Sequence, residues 1–272
     1  LVAAARQGAN AVLLAKTDQP HPRLPGTVHT AVSEIEAAGG KAIAVVGDVR
    51  NEEDVQRAVA TAVERFGGVD ICINNASAID LSGTGQLPMK RFDLMHQINV
   101  RGTYLLTSAC LPYLRRSDHA HVLTLSPPLN MSPHWLGRHP GYTLSKYGMT
   151  LPTLCWAAEF ADVPIAANCL WPQTTIATAA VVNLLGGEEM ASRSRRPEIM
   201  ADAAIEVLKV ITSDEVQMLM SQYGTPSVLN SEEIKKNYGS RLSEFQGKNV
   251  QALFRTKPNK PHLMTKYDST VR

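Results

Sequence analysis

The sequence predicts an α/β chain organised around a parallel sheet. Short apolar runs alternate with stretches of helical spacing, and glycine pairs or polar loops separate them, which is the layout of repeated strand–helix–strand units. Size agrees: 272 residues can bury one large core, and a single α/β domain of roughly 250 residues is ordinary.

Taken in order, residues 1–9 read as the second half of a helix ended by Gly8. A helix that starts without a cap, in a chain that starts without Met, gives the expectation that sequence before it is missing. Residues 11–15 form an apolar run suited to a strand, followed by a polar, proline-rich loop through residue 26. A helix fits 28–38 and is closed by Gly39-Gly40. A second strand fits 41–46 and ends at Asp48. Residues 52–66 have helical spacing, and Gly67-Gly68 stops them. A third strand fits 69–73, a long helical stretch 90–114, a fourth strand 121–125, a helix 142–160 and a fifth strand 164–170. Pro152 falls inside the 142–160 helix, deletes a backbone hydrogen bond and predicts a kink costing about 3 kcal/mol unless it is accommodated. After Trp171-Pro172 the pattern is again helical, including 197–210. Periodicity fades from residue 212, so the chain divides into a domain over 1–211 and a divergent, partly disordered tail over 212–272.

Composition excludes several classes. A net charge of +2 is too small to imply a nucleic acid or another polyanion as partner. No apolar stretch is long enough to cross a bilayer. Cys72, Cys110, Cys155 and Cys169 each lie in apolar surroundings without C-x-x-C spacing, so they read as buried reduced thiols and not as a disulfide framework or zinc site. His121, His134 and His139 lack metal-ligand spacing, and no metal is expected.

The chemistry is carried by Tyr142 and Lys146. Residues four apart share one helix face. A phenol titrates near pH ~10 and is a poor acid–base group at neutral pH. A cation held beside it favours the phenolate, which lets the phenol exchange a proton with a substrate oxygen. Tyr-x-x-x-Lys alone is common by chance. Here Asn99 and then Ser126 precede it, Ser126 directly after an apolar run.

These markers together resemble the short-chain dehydrogenase/reductase family over residues 1–211. Asn74-Asn75-Ala76-Ser77 resembles the family's Asn-Asn-Ala-Gly turn, with Ser77 in place of glycine. Asn99, Ser126, Tyr142 and Lys146 match its catalytic positions. Asn168-x-x-Trp171-Pro172-Gln173-x-Thr175 resembles its Asn-x-x-x-Pro-Gly segment, with Gln173 in place of glycine. A narrower resemblance, to one branch of the family, rests on residues 15–22 around Lys16, on Ser126-Pro127-Pro128-Leu129-Asn130, and on Leu170-Trp171-Pro172.

The resemblance implies a Rossmann-like, doubly wound sheet and a hydride-transfer enzyme. Tyr142 would be the proton donor or acceptor, and Lys146 would depress the Tyr142 pKa and bind the nicotinamide ribose. Ser126 would donate to the substrate oxygen, and Asn99 would hold a water leading from Lys146 to solvent. Lys16, at the end of its strand where an NAD enzyme tends to carry an acid, implies NADP. Asp48 would accept from the adenine amino group, unless it caps the next helix in competition with Asn51. Asn75 and Ala76 would line the ribose, while Pro172 and Thr174 or Thr175 would meet the carboxamide or phosphates.

The family's first strand and glycine-rich phosphate turn are not found, so the expectation is an N-terminally truncated domain that binds NADP poorly as it stands. Two functions remain open from sequence. One is an NADP-dependent oxidoreductase acting on a carbonyl or secondary alcohol of a small apolar, steroid-like or fatty-acyl-like substrate. The other is a cofactor-deficient relative serving as an interaction scaffold. The resemblance further implies a homo-oligomer built on the 90–114 and 142–160 helices, and a peroxisomal or mitochondrial setting, with the cytoplasm also open because Thr270-Val271-Arg272 is no peroxisomal tripeptide.

Overall fold

The computed structural model describes residues 1–20, 26–127, 129–160, 162–172, 174–212 and 250–253. Helix α1 (Val2–Ala5) precedes β1 (Asn10–Ala15), α2 (Val28–Ala37), β2 (Lys41–Val46), α3 (Glu52–Phe66) and β3 (Ile71–Asn74). A continuous helical run follows, comprising α4 (Met89–Met95), a π-helical stretch (His96–Gly102) and α5 (Thr103–Leu114). Next come β4 (His121–Leu125), α6 (Pro133–Leu136), α7 (Pro140–Glu159) and β5 (Ala166–Pro172). A second π-helical stretch (Val181–Gly186), α8 (Gly187–Ser192), α9 (Glu198–Thr212) and β6 (Val250–Leu253) complete the described elements.

Local chemistry explains the boundaries. Asn51 caps α3 by accepting from the backbone N–H groups of Glu53 and Asp54 at 2.8 and 3.2 Å, so it is Asn51 and not Asp48 that does this job. Glu52, Glu53 and Asp54 occupy the positive end of the helix dipole and Arg65 the negative end, each in its favourable place. Gly67 ends the helix at φ 87°, a left-handed conformation that costs glycine least.

The β1–β5 strands pair in parallel, and they fall into two hydrogen-bonded groups: β1 with β2, and β3-β4-β5-β6. β1 and β3 are not bonded to each other, so each presents an unpaired edge among the described residues. The second group is covered on both faces, as alternation along β4 shows. Val122 points into a cluster with Val59, Cys72, Cys110, Leu114, Trp156 and Phe160, beneath α3, α5 and α7. Leu123 points the other way, toward Leu170, Ala203 and Val207, the last two on α9. Strands buried on both faces read as near-continuous apolar runs, which is why they were legible.

One expectation changes, the burial of all four cysteines, and two observations stand beside it. A strand occurs within the tail: β6 runs antiparallel to β5, from Cys169↔Leu253 to Pro172↔Val250. Residues 213–249 and 254–272, the rest of that stretch, lie outside the described residues, as do Pro128 and Gln173. Cys155 is exposed, unlike Cys72, Cys110 and Cys169, because α7 turns it away from the sheet. Helix α7 also continues as one element across Pro152.

Candidate active site

The candidate residues gather at the carboxyl ends of β3, β4 and β5, where open α/β sheets bind their ligands. At the end of β3, the buried Asn74 amide donates to Thr107 Oγ1 on α5 at 2.9 Å and to Thr124 Oγ1 on β4 at 3.3 Å. Thr153 on α7 donates to the same Thr124 hydroxyl at 2.8 Å. This buried polar relay fixes the strand end to both helices before the chain turns into Asn75, Ala76 and Ser77, all exposed.

The segment that follows is pinned residue by residue. Asn99 Nδ2 donates to the Ala78 carbonyl at 3.0 Å, and Asn99 Oδ1 accepts from the Ala78 N–H at 2.7 Å. Arg91 donates to the Ile79 carbonyl and to Asp80 at 2.9 and 3.1 Å. His139 Nδ1 bonds the Leu81 carbonyl. Asn99 lies in the π-helical stretch, a local unwinding that is frequent at functional sites. Its second N–H donates to Ser145 Oγ at 2.9 Å, and Ser145 donates to the Tyr142 carbonyl at 2.8 Å. The Asn99 side chain is thus committed to protein groups, linking the turn after β3 to the helix that carries Tyr142 and Lys146. Gly148 lets α7 come this close, since a Cβ there would sit 2.5 Å from Val100 Cγ2.

Ser126 follows β4 and is 2% exposed. Its hydroxyl is buried beside the Cys169 thiol, which it influences, and has no partner at ordinary hydrogen-bond geometry among the described residues. A buried hydroxyl without a partner is costly, and it fits a ligand oxygen arriving at that point. Lys146 Nζ donates to the Leu125 carbonyl, one residue before Ser126, at 2.7 Å, and contacts Met149 Sδ at 3.1 Å. Burial lowers the Lys146 pKa to about 8. The same burial pushes the Cys169 thiol up to about 11.

Burial also raises the Tyr142 phenol above its ordinary value, with the neighbouring Ser77 hydroxyl acting in the opposite direction. The lowering expected from an adjacent ammonium is not seen here. The reason is the buried Lys146 cation's need for acceptors, which the Leu125 carbonyl meets.

The cofactor-side candidates lie at the ends of β1 and β2. Lys16 Nζ stands 3.5 Å from Asp48 Oδ2, and Lys16 is 73% exposed. Arg50 grips Asp48 with two nitrogens, Nη2 at 2.6 Å and Nε at 2.9 Å. The Arg50 guanidinium holds the Asp48 carboxyl well below the usual carboxylate range. Two cations thus share one carboxylate, leaving a local excess of positive charge that fits a phosphate. Thr174 and Thr175 are exposed beyond Pro172, and Thr175 Oγ1 accepts from Ser194 at 2.8 Å. Among the described residues no cluster of His, Cys, Asp and Glu could hold a metal.

Sequence reading missed Arg50, Ser145 and the bonds made by Asn74. The spacing Asp48-Val49-Arg50 offered a hint of the first, and the doubled asparagine of the third. Ser145 carried no pattern distinguishable from an ordinary helix serine.

Comparison with known proteins gives the family. The model of the short chain dehydrogenase family matches residues 3–186, and the chain belongs to that family. Within it, the chain is similar to hydroxysteroid dehydrogenase-like protein 2, the branch behind the narrower resemblance. It is 52% identical to the Danio rerio protein over 85% of this chain and 54% of that protein. It is 52% identical to the Homo sapiens protein over 76% of this chain and 49% of that one. The chain therefore spans about half the length of the curated relatives it matches. A solved short chain dehydrogenase from Mycobacterium thermoresistibile is 50% identical, covers 84% of this chain and 82% of its own, and superposes with a TM-score of 0.73.

Proposed function

We propose that this oxidoreductase is NADP-dependent and moves a hydride to or from a carbonyl or secondary-alcohol carbon of an apolar, steroid-like or fatty-acyl-like substrate. The observation that carries the reading is the buried Ser126 hydroxyl at the end of β4, next to the Leu125 carbonyl that accepts from Lys146, on the helix α7 that also carries Tyr142. NADPH, when bound, supplies the hydride. Ser126 donates to the substrate oxygen as negative charge develops there. Tyr142 gives that oxygen its proton in reduction and recovers it in oxidation. Lys146, with a pKa of about 8, carries a charge that the ribose hydroxyls can share in exchange for the Leu125 carbonyl. Asn99 holds the Ala78 peptide, and through Ser145 the Tyr142 backbone, in register. Lys16 and Arg50 supply the positive field for a 2′-phosphate. Asn75, Ala76, Pro172, Thr174 and Thr175 line the rest of the nucleotide. The apolar character of the substrate follows from the names of the similar proteins and from the apolar segment beginning at Ile176.

The decisive experiment is NADPH oxidation with a panel of apolar ketones, comparing the protein with Tyr142→Phe. Loss of turnover by three or more orders of magnitude is expected, on the order of the effect of removing a proton-transfer group; equal turnover would reject the mechanism.

A homo-oligomer is part of the proposal. Tyr104 on α5 and Leu144 and Leu151 on α7 are 59%, 57% and 50% exposed, an apolar stripe suited to a second copy of the same helices. Leu151→Glu should shift the sedimentation coefficient to that of a monomer.

A second reading, an interaction scaffold without turnover, draws on one observation: β1 and β3 each have an unpaired edge among the described residues, and such edges recruit strands. NADPH-induced thermal stabilisation would count against it.

A further inference from the structure

We infer that Tyr147 and Thr150 are positioning residues for Ser126: from α7 their hydroxyls hold the chain that leaves β4, and so fix where the Ser126 hydroxyl meets a substrate oxygen. This role rests on the reading of Ser126 as the donor to that oxygen and deepens it.

The need for such bonds is set by the sequence. Ser126 is followed by Pro127 and Pro128, which have no backbone N–H and so cannot extend the ladder with β5. Ser126 is the last residue there able to donate, and its N–H meets the Leu170 carbonyl at 3.2 Å. A residue before proline is also restricted to extended conformations, which carries the chain off the sheet. With no partners of another kind, Ser126 would stand at a fraying strand end and its hydroxyl would have no fixed place.

Helix α7 supplies those partners from two adjoining faces. Lys146 and Thr153 reach β4 itself, Lys146 donating to the Leu125 carbonyl at 2.7 Å and Thr153 to the Thr124 hydroxyl at 2.8 Å. Tyr147 and Thr150, three apart on the next face, reach the chain beyond the strand. The buried Thr150 hydroxyl donates to the Pro127 carbonyl at 2.7 Å. Tyr147 Oη donates to the Asn130 carbonyl at 2.8 Å and accepts from the Asn130 N–H at 2.9 Å. One hydroxyl thus satisfies both backbone groups of Asn130, whose side chain accepts from the Ser132 N–H at 2.9 Å just before α6. Ser126 is bracketed, with Leu125 held by Lys146 on one side and Pro127 by Thr150 on the other. Under the proposed function Lys146 leaves the Leu125 carbonyl for the ribose, and the Thr150 and Tyr147 bonds are the ones that stay.

Two measurements on the whole chain test this. Amide exchange followed by NMR needs no turnover. In Tyr147→Phe and in Thr150→Val the Ser126 N–H, which is bonded to Leu170 and to neither hydroxyl, should exchange about tenfold faster or more. The amides inside β4 should keep their rates, and Thr150→Ser, which retains the hydroxyl, should restore slow exchange at Ser126. Unchanged exchange at Ser126 overturns the inference, and so does an equal quickening throughout β4, the mark of general destabilisation. The second measurement is a double-mutant cycle on NADPH oxidation with apolar ketones. Tyr147→Phe should lower kcat about ten- to hundredfold with NADPH affinity retained, and in a Ser126→Ala background it should cost about twofold or less. Equal losses in the two backgrounds overturn the inference. Turnover that survives Ser126→Ala would remove the catalytic reading of that serine, and amide exchange then decides by itself whether Tyr147 and Thr150 hold it in place.

Discussion

The Asn99 side chain and the Ala78 peptide close a two-way hydrogen-bonded ring, Nδ2 donating to the carbonyl at 3.0 Å and Oδ1 accepting from the N–H at 2.7 Å. Asn99 is fully buried, so no water can take over those bonds if the amide is removed. Asn99→Leu, close in size and without polar atoms, strands both Ala78 groups and takes a donor from the Ser145 hydroxyl, which keeps its bond to the Tyr142 carbonyl. A loss of about 2–5 kcal/mol in urea unfolding is expected, since each orphaned buried group costs about 1–3 kcal/mol. A wild-type unfolding midpoint would show that the ring contributes nothing.

His121 gives a pH dependence with a definite sign. Burial, opposed by a hydrogen bond to Asn168, lowers its pKa from 6.5 to about 4. The unfolded chain therefore takes up a proton below about 6.5 that the folded protein refuses until about 4. The corresponding stability is fully present above the unfolded value and is lost as pH falls toward the folded one, on the order of 3 kcal/mol in total. Urea midpoints measured from pH 7 to pH 4 should fall in the parent, and His121→Gln should flatten that part of the curve.

Gly148 and Val100 form a testable contact between α7 and the π-helical stretch. A Cβ at 148 would lie 2.5 Å from Val100 Cγ2, so Gly148→Ala should destabilise by about 1–3 kcal/mol through overpacking. Val100→Ala makes room, and the double variant should recover most of the loss. Simple additivity of the two single effects would show that the contact is not what opposes the new methyl group.

Cofactor choice is accessible through Lys16. Under the proposed function, Lys16→Ala should weaken NADPH binding by about tenfold, the worth of one exposed charge-assisted contact, and leave NADH nearly unaffected. Quenching of intrinsic fluorescence by each nucleotide reads this directly, and equal weakening of both would assign Lys16 to general binding instead of to the 2′-phosphate.

Tyr142, Lys146, Ser126 and Asn99 were legible because their spacing is fixed by a helix period and by strand ends, both local properties of the chain. The strands were legible for the same reason: a segment buried on both faces is a continuous apolar run. Arg50 was not, because its importance lies in sharing the Asp48 carboxylate with Lys16, which arrives from the end of another strand. Nor was the π-helical stretch, since its 3.6-like apolar spacing differs little from that of the helices on either side.

Sequence by itself determined the order of the five parallel strands and their helices, the family, and four candidate side chains, because each depends on neighbours along the chain. Tertiary structure decided which groups those side chains touch. It turned Lys146 toward Leu125, occupied the Asn99 amide with Ala78 and Ser145, and buried the Ser126 hydroxyl with no partner at ordinary hydrogen-bond geometry among the described residues. The physical reason is that a buried polar atom takes the best donor or acceptor within about 3 Å, and that neighbour comes from a different element, tens of residues away in sequence.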